Sequence, residues 1–201
     1  ENKDNNNNVE TKKEIKTHTN KNNIDTETNT VNNKNNNSKK EETNKIVDNN
    51  IYVTVYRSNG SVISLELEEY LIGVVASEMP ASFNIEALKA QAVVARTYAL
   101  KRVSENKKLT DTVSTQSYKS IDELKSIWGN SFDKYYDKVK NSVMSTKGIV
   151  LTYNNKYIDA VYHSSSNGIT EESIYVWNND IPYLKSVDSF DENISIKEVS
   201  F

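Results

Sequence analysis

Ile51, Val53 and Val55 alternate with Tyr52, Thr54 and Tyr56, the period-two pattern of a half-buried strand. Ser58-Asn59-Gly60-Ser61 has turn chemistry, and Val62 to Leu65 reads as the returning strand of a hairpin. At Leu67 the spacing becomes helical. Leu71, Val74 and Val75 form one stripe, and the next member of that series is a carboxylate, Glu78, followed by Met79 and Pro80. Pro80 marks a helix end just before it. Asn84 is suited to cap a second helix running to about Val103, apolar almost all round from Ala87 to Leu100 apart from Lys89, Gln91, Arg96 and Thr97. Ser104 to Ser120 is polar and reads as a long loop. Ile121 to Trp128 and Phe132 to Thr146 read as helices, the second with Tyr136, Val139 and Val143 on one face and Gly148 as its C-cap. Ile149 to Tyr153 and Lys156 to Tyr162 read as strands joined by Asn154-Asn155, and Ile194 to Phe201 alternates like a further strand. The expected fold class is α+β: a buried helix pair packed on β-hairpins, with irregular loops lining a cleft.

Residues 1–50 lack any such pattern. Asn, Lys, Thr and Glu dominate, nine acidic residues balance nine basic ones, and Ile15, Ile24 and Val31 are isolated. A segment of this composition does not offset its ordering entropy, so 1–50 is expected to be a disordered Asn/Lys-rich tether and 51–201 the folded domain. The chain begins at Glu1 and stops within the last alternating stretch. We therefore expect a membrane anchor or signal ahead of the tether and a domain that continues past Phe201.

The 201 residues contain no Cys, which excludes disulfides, thiolate metal sites and a Cys nucleophile. A net charge of −3 with no basic stripe gives no argument for nucleic acid. No apolar run is long enough to span a bilayer.

Glu78 is the main chemical candidate. Apolar neighbours and the negative end of a helix dipole both disfavour a charged carboxylate, and a carboxylic acid kept protonated near neutral pH is suited to general-acid work. The other reading is a helix-end Glu that reaches solvent. Gln91 and Arg96 also carry two readings: they tie down neighbouring loops, or they face a cleft holding Glu78. The stretch His163-Ser164-Ser165-Ser166-Asn167-Gly168-Ile169-Thr170 packs one imidazole and four hydroxyls into eight residues at a strand end, which suits a sugar site that needs short-range donors and acceptors. Trp177 is read as core filling, or else as a platform for a pyranose face.

The segments Leu67 to Pro80 and Ala87 to Leu100, with the later His163 to Thr170 and Tyr183 to Val187 blocks, resemble the stage II sporulation protein D family over residues 51–201. The resemblance implies a lytic transglycosylase cutting peptide-stripped peptidoglycan during sporulation, at the outer face of the membrane around an engulfing cell. It implies glycan strands as substrate, and an engulfment complex with a companion amidase and a lipoprotein. The catalytic acid is then Glu78. The substrate-binding set is Gln91, Arg96, Tyr98, Gln116, Tyr118, His163, Ser164, Ser166 and Thr170. The alternative within the wider family is a non-catalytic peptidoglycan-binding module that enhances a partner amidase. Some relatives carry zinc on His and Cys near an Asp-Thr segment. Here Asp111 to Gln116 has neither, so no metal and no cofactor are expected. Asn167 also stands where the family's hydroxyl loop usually carries Gly, a substitution compatible with a left-handed turn.

Overall fold

The computed structural model describes residues 10–12, 50–164, 166 and 168–189. Among these the protein is α+β, with five α-helices and two small three-stranded sheets. Glu10–Lys12 forms a strand (β1) within the stretch read as a tether. The rest of residues 1–49 and the alternating 194–201 stretch lie outside the described residues.

β2 (Tyr52–Tyr56) buries Val53 and Val55 and exposes Tyr52, Thr54 and Tyr56, as the alternation predicts. It pairs antiparallel with β3 (Val62–Glu66), Val53 opposite Leu65 and Val55 opposite Ile63. In the turn between them Gly60 takes φ +87°, and the Asn59 side chain accepts the Ser61 N–H at 3.0 Å. β3 runs directly into α1 (Leu67–Glu78), whose first turn is capped by the Glu66 side chain. Leu67, Tyr70, Leu71, Val74 and Val75 of α1 are buried.

α2 (Ile85–Ser104) begins where Asn84 Oδ1 accepts the Glu86 N–H at 2.9 Å. Its buried Ala92, Ala95 and Ala99 keep it slim where α1 and α4 (Phe132–Ser145) pack against it. Between α2 and α4 lie β4 (Leu109–Thr110) and α3 (Ile121–Trp128), the latter started by a capping box of Ser120 and Glu123. β4 falls inside the stretch read as loop. It pairs in parallel with β2, placing the buried Leu109 opposite Val55.

β5 (Val150–Tyr153) and β6 (Lys156–Tyr157) form the second hairpin, with Asn154 and Asn155 at φ +49° and +60° in the turn. β1 pairs with the other edge of β5. β6 is shorter than the Lys156 to Tyr162 strand that the alternation predicts. Beyond Tyr157 the chain is drawn off the ladder at Asp159, which holds Lys101 of α2 and the Tyr183 hydroxyl, the latter at 3.1 Å. A short α5 (Ser173–Trp177) ends at Asn178 in the left-handed conformation. Among the described residues no helix is long and apolar enough to cross a membrane.

Arg96 is the largest fully buried side chain. Its guanidinium forks onto Glu68 of α1, Nε to Oε1 at 3.0 Å and Nη2 to Oε2 at 2.6 Å. It also donates to the carbonyls of Val143 at 3.1 Å and Ile149 at 3.2 Å. One side chain of α2 thus secures α1, the end of α4 and the entry to β5. Next to it, Thr97 Oγ1 donates to Val93 O and accepts the Leu151 N–H at 3.0 Å, fixing β5 against α2.

Replacing Arg96 by Met should destabilise the domain by about 3–5 kcal/mol in urea denaturation, because Glu68 is left buried without its partner. Adding Glu68→Leu should recover part of that loss.

Candidate functional site

α1 ends at Glu78 because Met79 adopts an extended backbone, so the carboxylate leaves the helix where the chain turns away. The side chain is half-buried. Oε1 accepts the backbone N–H of Ser117 at 2.5 Å.

Ser117 is delivered by residues 109–120, which cross α1 at Gly73. The Lys119 N–H reaches Gly73 O at 3.4 Å, and a Cβ built on Gly73 would meet the Tyr118 ring at 2.4 Å and Lys119 O at 2.5 Å. Only a residue without a side chain permits that approach. Tyr118 stacks on Tyr70 of α1, ring centroids 5.6 Å apart. Gln116 is fully buried and spans the helix pair: its Oε1 accepts the Tyr70 hydroxyl at 3.3 Å and its Nε2 donates to Ala95 O at 3.1 Å. Thr110, Thr112, Ser114 and Thr115 close the loop on itself through their hydroxyls, Thr110 Oγ1 reaching the other three at 3.3, 3.0 and 2.9 Å.

Arg57, at the start of the β2–β3 turn, grips this segment from outside. Its Nε donates to Asp111 at 3.1 Å and its Nη2 to both oxygens of Glu123 at 2.8 Å. For Glu123, burial pushes the carboxyl up, but the bonds from Arg57 and from the Ser120 N–H and hydroxyl outweigh it and hold the pKa at about 2. Asp111 is lowered in the same way by Arg57 and Ser58 against the opposing effect of burial.

Phenols surround the acid. Burial pushes the Tyr70 hydroxyl well above its ordinary value, and the nearby Tyr98 and Glu78 add to the shift. Tyr162 is raised by burial first and then by the charge of Glu78. Both remain neutral hydrogen-bond donors at any physiological pH. The Tyr162 hydroxyl is buried and faces the Glu78 carboxylate, whereas Gln91 Nε2 is buried with no hydrogen-bond partner among the described residues. Gln91 stands on the helical stripe of α2 that carries Ala95, Tyr98 and Arg102. Arg102 lies over the Tyr98 ring at 5.7 Å.

Of the residues singled out in the sequence, Tyr98, Gln116 and Tyr118 gather around Tyr70, which also feels the charge of Glu78. Arg96 does not: it is fully buried on Glu68, which resolves its two readings in favour of tying down structure. His163, Ser164 and Ser166 are exposed, beginning one residue after Tyr162. The Ser166 hydroxyl meets that of Ser189. Thr170 is engaged with Val187: its N–H donates to Val187 O and its Oγ1 accepts the Val187 N–H, both at 2.9 Å. Ser165 and Asn167 lie outside the described residues. Trp177 is 52% exposed, so it does not fill the core; it closes a five-residue helix with too little packing above it.

A groove of about 530 Å³ lies on the Arg57 side of Tyr118, lined also by Leu65, Glu69, Ile72, Gly73, Lys119 and Tyr136. Glu78 does not line it. Sequence reasoning missed Tyr162, whose only signal is an aromatic residue directly before the hydroxyl block. It also missed the Ser117 N–H and Arg57, which carry no side-chain pattern.

Residues 55–153 match the family described as stage II sporulation protein. The chain is 48% identical over 148 residues to stage II sporulation protein D of Bacillus subtilis (strain 168), covering 69% of this chain and 43% of that protein. It is 46% identical over 151 residues to stage II sporulation protein D of Bacillus amyloliquefaciens, covering 71% and 44%. It is 41% identical over 114 residues to the amidase enhancer of Bacillus subtilis (strain 168), covering 57% and 14%. The chain thus spans less than half the length of each of these relatives.

Gly73→Ala should cost about 1–3 kcal/mol in denaturant unfolding, because Tyr118 and Lys119 must move off α1. For Glu123 the folded pKa of about 2 lies below the ordinary 4.5, so its stabilising contribution is full above about pH 5 and lost as pH falls through 2. The Tm gap between the native chain and Glu123→Gln should therefore be widest above pH 5 and close towards pH 2 in a series of thermal melts.

Proposed function

Because this chain belongs to the stage II sporulation protein D family, we propose that its folded domain is a peptidoglycan lytic transglycosylase that acts during sporulation. The observation that supports this reading above others is Glu78: a carboxyl group at a helix end, one oxygen fixed by the Ser117 N–H, set among phenols that stay protonated.

Most glycosidases need two carboxylates, whereas a lytic transglycosylase manages with one because the nucleophile belongs to the substrate. Glu78 gives its proton to the oxygen between N-acetylmuramic acid and N-acetylglucosamine, and the bond from C1 to that oxygen breaks. The muramyl 6-hydroxyl attacks C1 and its proton passes to Glu78. The acid is regenerated, and the products are a free 4-hydroxyl and a 1,6-anhydro sugar. The substrate acetamido group supports the positive charge on the sugar.

In this reading Gln91 Nε2, a buried donor without a partner among the described residues, supplies a hydrogen bond to the substrate, the Tyr162 hydroxyl faces Glu78, and His163, Ser164 and Ser166 form the exposed rim. Tyr98 and Thr170 extend that surface, and the buried Gln116 and Tyr118 hold the loop behind it. The domain works outside the cytoplasmic membrane on strands already stripped of peptide, anchored through a transmembrane segment ahead of the Asn/Lys-rich stretch. A companion amidase and a lipoprotein share its complex.

A second reading has one observation in its favour, the similarity to a protein named amidase enhancer. There the domain holds glycan without cutting it, and Glu78 is a binding group.

Digestion of peptide-free glycan strands followed by mass spectrometry separates the two readings. The native chain should release anhydro-ended fragments, and Glu78→Gln should lower their rate by about 100- to 10,000-fold, the usual contribution of a general acid. Native protein that binds the strands and yields no anhydro ends would establish the second reading.

A further inference from the structure

Resting on the reading of Glu78 as proton donor, we propose that Arg57 is a positioning residue for that acid: it holds the 111–123 segment so that the Ser117 N–H stays on Glu78 Oε1.

Arg57 follows β2 and is separated from Glu78 by the whole of β3 and α1. Its side chain is only 13% exposed. It holds the segment at both ends, through Asp111 at 3.1 Å and through both oxygens of Glu123 at 2.8 Å, and its guanidinium lies 5.4 Å from the centre of the Tyr118 ring between them. Asp111 is fixed further by the Ser58 N–H at 2.9 Å and the Ser58 hydroxyl at 3.2 Å. The Asp111 carbonyl then accepts the Tyr118 N–H at 3.2 Å. Moving Asp111 therefore moves the peptide unit adjoining Ser117.

Tyr118, Lys119, Ser120, Ile121 and Asp122 all line the groove of about 530 Å³ that Arg57 itself borders. Tyr118 packs inward on Tyr70, and the polar grip holds the residues on either side of it. The grip needs a fork, because two carboxylates in different directions and a ring face are served by one planar group. Lysine offers a single point charge and does not reproduce it. Ionised Asp111 and Glu123, both with lowered pKa values, keep the grip intact across the working pH range.

The test uses the full chain with Arg57→Lys and Arg57→Ala, read in two ways. By NMR hydrogen exchange, the Ser117 amide should exchange about 10-fold faster or more in both variants, while the buried amides of α1 and α2 keep their protection. In glycan cleavage, kcat should fall by about 10- to 100-fold with little change in KM, the scale of a displaced catalytic group. If Arg57→Ala does not fold, Arg57→Lys and Asp111→Asn carry both measurements. A role confined to stability would lower Tm and leave Ser117 exchange level with its neighbours, and that result overturns the proposal. Unchanged kcat in a folded Arg57→Lys chain overturns it as well. Faster Ser117 exchange together with a native chain that makes no anhydro ends would instead sink the reading of Glu78 and uphold the grip.

Discussion

A guanidinium with no access to water requires that every donor be met, and Arg96 meets the requirement by recruiting three parts of the chain. Glu68 supplies the opposite charge from α1, and carbonyls at Val143 and Ile149 supply neutral acceptors from the end of α4 and the start of β5. Burying an ion pair gives little net stability compared with an apolar replacement, but an incomplete one is costly. The relative placement of α1, α2, α4 and β5 is therefore narrowly specified. The end of α1, where Glu78 emerges, inherits that specification.

The surroundings of Glu78 are assembled differently. They depend on a loop with little apolar content, brought close to α1 by the missing side chain at Gly73 and pinned by polar contacts. Gln116 reaches inward to both helices, and Arg57 reaches inward from the first hairpin. Three elements distant in sequence thus meet around one carboxylate. The helices provide rigidity and the loop provides the donor that orients the acid.

Much of the framework was legible because it rests on periodicity. The alternation at β2, the twelve-residue span of α1 and the cap at Asn84 all follow from local chemistry, and so does Glu78 at the break before Pro80. What escaped depends on contacts across the chain. β4 is two residues long, and Leu109 enters the sheet only because β2 is there to receive it. β6 stops early because Asp159 is held by Lys101 and Tyr183. Arg96 and Gln91 gave the same signal, a polar residue in an apolar helix. The structure separates them, since Arg96 is saturated and Gln91 Nε2 is left without a partner. A backbone donor such as the Ser117 N–H leaves no mark on side-chain pattern at all.

Tyr118 is a party wall. Its ring leans on Tyr70, close to the acid, and also forms part of the boundary of the groove under Arg57. A change at this residue disturbs the Tyr70 contact and the groove together. A phenotype at Tyr118 is thus a report on shared masonry, and assigning it to sugar contact alone needs a companion change on the groove side that leaves the ring standing.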